Sequence, residues 1–332
     1  MKFLLIQTAF IGDVILATPL IEKLHRFYPG ADIDFLVRKG NESLLLNHPI
    51  LRKCLVWNKK EGKYRTLRKL LLQIRAERYD YVINCQRFAA SGILTAFAGA
   101  RTTIGFDKNP LSFLFNQRFP HRINPKSGSQ HEVSRNLSLI ERLTDTSFEK
   151  PKLYPSLENT SEALKLAGSL PYFCIAPTSV WFTKQWPAHK WIELIQQLPP
   201  NHTVFLLGAP SDVQACQHIL EQCAHPAVRN VAGQLSLLGS AALMQNAKMN
   251  FVNDSAPMHL ASAVNAPVTA IFCSTIPAFG FTPLSDQSKI VETKQALSCR
   301  PCGLHGFAKC PKGHFACAES IEINVHLNQE TA

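Results

Sequence analysis

FLLIQTAFIGDVILATP, residues 3–19, opens on an apolar run, Phe3 to Ile6, that reads as a strand buried on both faces. The run passes through a short turn into a helix-like segment, Leu16 to Tyr28. The plan then recurs: Ile33–Val37 precedes a helix-like run from Leu44, Lys53–Trp57 precedes Thr66–Glu77, Tyr81–Asn84 precedes Ser91–Ala98, and Thr103–Gly105 follows. Strands separated by helices predict a parallel sheet built from βαβ units. The turn after the first strand lacks the GxGxxG that holds a pyrophosphate, and it places Asp13 behind Gly12 in otherwise apolar sequence. Asp13 is therefore a candidate acid or base, with Gly12 allowing close backbone approach. Pro19 either kinks a helix begun at Asp13 or opens one behind Thr18 as cap.

A helix from about His131 to Leu143 follows a Pro/Asn/Gly/Ser-rich loop, and Pro151 to Pro155 reads as a linker, so the expected domains are 1–152 and 153–332. The second half repeats the first. Phe173–Ala176, Thr203–Leu207, Val228–Asn230, Met249–Asn253 and Val268–Phe272 read as strands, separated by helices near Pro187–Leu198, Asp212–Gln222, Leu235–Asn246 and Met258–Val264. The expected fold is α/β, with two Rossmann-like doubly wound parallel-sheet domains facing a central cleft, where strand ends of such sheets bind ligands. With 332 residues, 46% of them apolar, the chain can bury two cores without disulfides or metals to staple it.

No apolar run reaches the roughly 18 residues that span a bilayer, and Met1-Lys2 leads straight into a strand without a signal pattern, so a cytoplasmic protein is expected. A net charge of +11 suits nucleic acid, an anionic membrane or a phosphorylated substrate. Basic residues concentrate between Lys53 and Arg78, yet no RNP, zinc-finger or basic-zipper signature accompanies them, and no nucleic-acid partner is expected. Of ten cysteines, six are scattered and read as buried thiols. Cys299, Cys302, Cys310 and Cys317 cluster with His305 and His314 in a spacing open to zinc. Their second pair is not a tight CxxC, and a reduced surface loop without metal is the expected state.

Three strand-end segments of the second half carry chemistry. NDSAPMHLASAVNAP, residues 253–267, starts a helix at Asp254 and Ser255, whose free N–H groups favour an anion, with His259 one turn inside. In APTSVWFTKQWPAHKW, residues 176–191, Thr178 and Ser179 offer hydroxyls and Lys184 a mobile charge for a departing diphosphate. LGAPSD, residues 207–212, sets Asp212 at a helix start, where a carboxylate binds ribose hydroxyls or simply caps the helix. Taken together, these segments predict a nucleotide-diphosphate site, and Asp13 then becomes the base for an acceptor. An NAD-linked oxidoreductase would need the missing glycine fingerprint, and a non-catalytic sugar-nucleotide binder would be expected to lose Asp13 or Lys184.

In order along the chain, GDVILATP (12–19), TKQWP (183–187), GAP (208–210), NDSAPMHLASA (253–263), STIPAFGFTPLS (274–285), CRPC (299–302) and Gly313-His314-Phe315 resemble the ADP-heptose:lipopolysaccharide heptosyltransferases of glycosyltransferase family nine, most of all the heptosyltransferase II group. The resemblance covers nearly the whole chain. It implies a GT-B fold and metal-independent, cofactor-free, inverting transfer of heptose from ADP-heptose to a lipid A-core acceptor. By the same resemblance Asp13 is the general base and Lys184 steadies the diphosphate. Asp254, Ser255 and His259 hold the donor, assisted by Thr178 and Ser179, with Asp212 on the ribose; Ala256 stands where the family carries glycine. A related transferase using another nucleotide sugar is the alternative. The enzyme is expected to sit peripherally on the anionic inner face of the inner membrane, its last helix packing back on the first domain.

Overall fold

The computed structural model describes residues 1–124 and 130–323. The chain forms two compact units, Met1–Tyr154 and Pro155–Ala332. In the first unit β1 (Lys2–Ile6) leads to α1 (Ile11–Ile15) and α2 (Pro19–Phe27), followed by β2 (Asp32–Arg38), β3 (Leu51–Trp57), α3 (Lys63–Glu77), β4 (Tyr81–Asn84), α4 (Ala89–Ala96), β5 (Thr102–Phe106), β6 (Gln117–Phe119) and α5 (Glu132–Ser138). Its sheet is parallel throughout, in the order β3-β2-β1-β4-β5-β6. The chain winds outward from β1 in one direction and then from β4 in the other. The order therefore reverses between β1 and β4, the place where such sheets bind ligands.

The second unit has α6 (Leu157–Ala167), β7 (Tyr172–Ala176), α7 (Ala188–Gln196), β8 (Thr203–Leu206), α8 (Val213–Gln222), β9 (Val228–Asn230), α9 (Leu237–Gln245), β10 (Met249–Asn253), α10 (Ala256–Ala263), β11 (Val268–Phe272), β12 (Ser288–Glu292) and α11 (Ala316–Glu319). The order β12-β11-β10-β7-β8-β9, again all parallel, puts its reversal between β7 and β10. Central strands are apolar along their length because helices cover both faces: β7 and β11 are buried at every residue. Trp186 and Trp191, in an edge-to-face pair 5.1 Å apart, pack α7 onto Phe173 and Ile175 of β7 in the second core.

Several boundaries differ from the sequence reading. The helix read over Leu16–Tyr28 runs Pro19–Phe27, opened by Pro19 behind Thr18 as one of the two readings of that proline has it, and a separate short helix, Ile11–Ile15, precedes it; the Thr18 hydroxyl donates to the Ile15 carbonyl at 2.8 Å and bonds no N–H of α2. The run from Leu44 is only a short 3-10 turn, Glu42–Leu45, and the helix expected to reach Leu143 stops at Ser138. β6, α6 and β12 were not anticipated. β6 is three residues long and β12, SKIVE, lies at a sheet edge with most of its residues exposed, so neither carries the apolar run that marks a central strand. Residues 324–332, which follow α11, lie outside the described residues, and with them the expected packing of a last helix on the first domain.

Candidate active site

In the first unit the loops at the carboxyl ends of the strands are tied into one rim. Asn41, after β2, donates to the Ala9 carbonyl at 2.9 Å, and Lys59, after β3, donates to the Thr8 carbonyl at 3.1 Å. Thr8 in turn bonds Gln86, after β4, at 3.2 Å. Asp13 stands on this rim, half-buried in α1, and its carboxylate accepts the Phe10 N–H at 3.0 Å. Burial pushes the Asp13 carboxyl up to about 6; the negative charge of Glu132 adds to the rise, and the Phe10 N–H and Arg38 oppose it. Gly12 lies inside α1 with its backbone outside the left-handed region.

Glu132 is a residue that the sequence reading missed. It begins α5, buried, with its carboxylate on His121 Nε2 at 3.2 Å and on Arg135 Nε at 2.6 Å. Burial raises its pKa, but His121 and Arg135 outweigh that and hold it below the usual carboxylate range, so it stays charged. Asn136, one turn further along, donates to the Leu16 carbonyl at 3.1 Å and seats α5 against the segment between α1 and α2.

In the second unit the predicted donor residues gather at the β7/β10 reversal. Thr178 and Ser179 follow β7, half-buried. Asn253, at the end of β10, bridges the two strands: its Nδ2 donates to the Pro177 carbonyl at 2.9 Å and its Oδ1 accepts the Trp186 N–H at 2.9 Å. Ser255 caps α10 in extended backbone, Ala256 is the first helical residue, and His259 is buried one turn inside. Lys184 ends a 3-10 turn, and its ammonium meets the Asp254 carboxylate at 2.8 Å; the same oxygen accepts the Thr275 hydroxyl at 2.6 Å. Asp254 thus engages Lys184 and Thr275, and the groups of matching polarity for a diphosphate are the lysine and the N–H groups of Ser255 and Ala256, since Pro257 carries none and the Met258 N–H donates to the Ser255 carbonyl at 3.1 Å.

Asp212 lies after β8, next to β7 in the sheet, and accepts the Ala209 N–H at 2.8 Å to close the turn into α8. Gly208 is required there, since a Cβ would fall 2.7 Å from that of Asp212. The cysteine loop is no detached surface strap. Arg300 donates to the carbonyls of Phe272, Cys273 and Thr275 at 2.7–3.1 Å, fastening the loop to the end of β11. Its four thiols are unbridged, with Cys299 Sγ 3.9 Å from His314 Nε2, and burial raises Cys317 to about 11. Among the described residues no group of three or more His, Cys, Asp or Glu side chains is placed to hold a metal ion.

The sequence matches the family model for glycosyltransferase family 9 (heptosyltransferase) over residues 67–304, more than half of the chain. The chain belongs to glycosyltransferase family 9. Lys184, Asp212 and the segment from Asn253 to His259 fall within that span, and Asp13 precedes it. Lipopolysaccharide heptosyltransferase 3 of Escherichia coli is 30% identical, the match covering 80% of this chain and 82% of that one. Lipopolysaccharide heptosyltransferase 1 of Pseudomonas aeruginosa is 27% identical, with 91% and 86% covered. Among solved structures, E. coli ADP-heptose lps heptosyltransferase II aligns with a TM-score of 0.76 at 24% identity, over 96% of this chain and 98% of that one. The glycosyl transferase family 9 structure from Veillonella parvula aligns with a TM-score of 0.78 at 21% identity, over 87% and 85%. Two doubly wound parallel sheets in one chain are the GT-B architecture, and this family-9 protein is a glycosyltransferase.

Proposed function

We propose that the protein transfers heptose from ADP-heptose to the inner core of lipopolysaccharide, with inversion at the anomeric carbon. The acceptor hydroxyl gives its proton to the Asp13 carboxylate as its oxygen bonds the anomeric carbon, and the bond from that carbon to the diphosphate breaks. ADP leaves with its new charge met by Lys184 and the N-terminus of α10, with Ser255 and His259 as further hydrogen-bonding partners. Thr178 and Ser179 assist at the phosphates, Asp254 holds the lysine and accepts from the donor, and Asp212 takes the ribose. In this assignment the first unit, Met1–Tyr154, takes the acceptor and the second, Pro155–Ala332, the donor.

The observation that carries the reading is Lys184 on Asp254 beside the α10 N-terminus, at the strand-order reversal of a family-9 chain. Anionic groups bind where a helix N-terminus and a lysine converge, and Asp13, poised near neutrality, supplies the complementary base. Relatives named heptosyltransferase 1, 2 and 3 all match the chain, which supports heptose as the sugar. Replacement of Asp13 by Asn tests the base. That variant keeps size and hydrogen bonding but takes no proton, and kcat should fall by roughly a hundredfold to ten-thousandfold with ADP affinity near wild type. Retention of most of kcat with both substrates saturating would place the base elsewhere.

A further inference from the structure

We propose that Thr183 and Ser274, with the 300–307 segment behind them, are positioning residues that fix the Lys184 ammonium where the leaving diphosphate needs it. The inference rests on the reading of Lys184 given above. Lysine carries its charge on a flexible four-carbon stem, so a lysine that stabilises a transition state gains from having its base held. Thr183, adjacent in sequence, is fully buried. Its N–H donates to the Phe307 carbonyl at 3.1 Å and its hydroxyl accepts the Phe307 N–H at 2.8 Å, a two-bond clasp across 124 residues. Ser274 donates to the same hydroxyl at 3.0 Å.

Behind the clasp, the segment is fixed to the end of β11 by Arg300 and by the Cys302 N–H, which donates to the Ser274 carbonyl at 2.8 Å. Gly306 then packs so closely that a Cβ there would fall 2.8 Å from Thr183 Oγ1 and 3.1 Å from Lys184 Cγ. Its φ of +77° lies in the left-handed region, which favours glycine a second time. The contacts close a ring. Thr275 holds Asp254, Asp254 holds the lysine ammonium, and Ser274, next to Thr275, holds Thr183 at the lysine's base. One dipeptide, Ser274-Thr275, therefore anchors the lysine at both ends, and the segment that bears the cysteines is its backing.

The test is a double-mutant cycle on the full chain, with ADP release measured against both substrates. Thr183→Val keeps the shape and removes the hydroxyl; kcat should fall about tenfold to a hundredfold, with donor KM changed by less than about threefold. Thr183→Ser restores the hydroxyl and should stay within about threefold of wild type. Combined with Lys184→Ala, Thr183→Val should add less than about twofold, because the group it positions is gone. Full additivity of the two losses, or wild-type kcat for Thr183→Val, would overturn the positioning role while leaving Lys184 in place. Wild-type kcat for Lys184→Ala alone would instead remove the reading of Lys184 itself. If Thr183→Val does not fold, Ser274→Ala, which removes one bond into the clasp, runs the same cycle with the same criteria.

Discussion

Asp13 shows how a single residue acquires its chemistry from neighbours that its own segment does not contain. Its carboxyl is lifted to about 6 first by burial and then by Glu132, with the Phe10 N–H and Arg38 pulling the other way. The ionised form is the base, so a raised pKa means less base at acid pH: below 6, log kcat/KM should drop by about one per pH unit, with a plateau above. Glu132→Gln removes a negative charge and leaves Arg135 and His121 less compensated, and each change favours the Asp13 carboxylate. The acid limb should therefore move to lower pH; a pH profile of kcat/KM in which it stays put would sink the coupling. Asp13 could be picked out in the sequence because it is the first carboxylate behind an apolar strand. Glu132 could not, since its only local signature is an ordinary acidic residue in the first turn of a helix.

Among the elements, the turn into α8 carries two readings of one carboxylate. Asp212 closes that turn on the Ala209 N–H, three residues back, while its side chain makes no capping bond into α8, and it also stands at the end of β8 beside the strand that bears Thr178 and Ser179. Asp212→Ala should cost about 1 kcal/mol of stability through the lost bond to the Ala209 N–H, read as a lower Tm. Asp212→Asn keeps an acceptor for Ala209 and should hold Tm near wild type. If the carboxylate also binds ribose, both variants raise donor KM with little change in kcat, because a ribose contact changes little between ground and transition states. Unchanged KM in both would leave Asp212 a turn-closing residue alone. The central strands and most helices were legible because burial on two faces writes a continuous apolar run. Edge elements such as β12 write no such run, and α6 hid among alternating polar residues after a linker.

For the whole molecule, the charge of +11 and the rim of the first unit point the same way. Phe10 and Phe88 are 55% and 57% exposed, each beneath an arginine, Arg38 at 4.8 Å and Arg87 at 5.8 Å, a pairing of aromatic and cation suited to an anionic headgroup region. No described helix is long and apolar enough to cross a membrane. The aromatic–arginine rim predicts that the protein co-sediments with vesicles containing phosphatidylglycerol, is released by salt on the scale of several hundred millimolar, and ignores phosphatidylcholine. Equal binding to both vesicle types would exclude the electrostatic account. The sequence alone determined the alternation of strands and helices, the strand-end positions of Asp13, Lys184, Asp212 and Asp254, and the family resemblance. Those are local facts, written in periodicity, caps and short motifs. Only the tertiary structure decided the strand order, the Lys184–Asp254–Thr275 chain, the Thr183–Phe307 clasp and the approach of Glu132 to Asp13. A residue's pattern records how its own segment is buried, whereas its partner across a hundred residues is chosen by which strands pair and which loops those pairings bring to one edge.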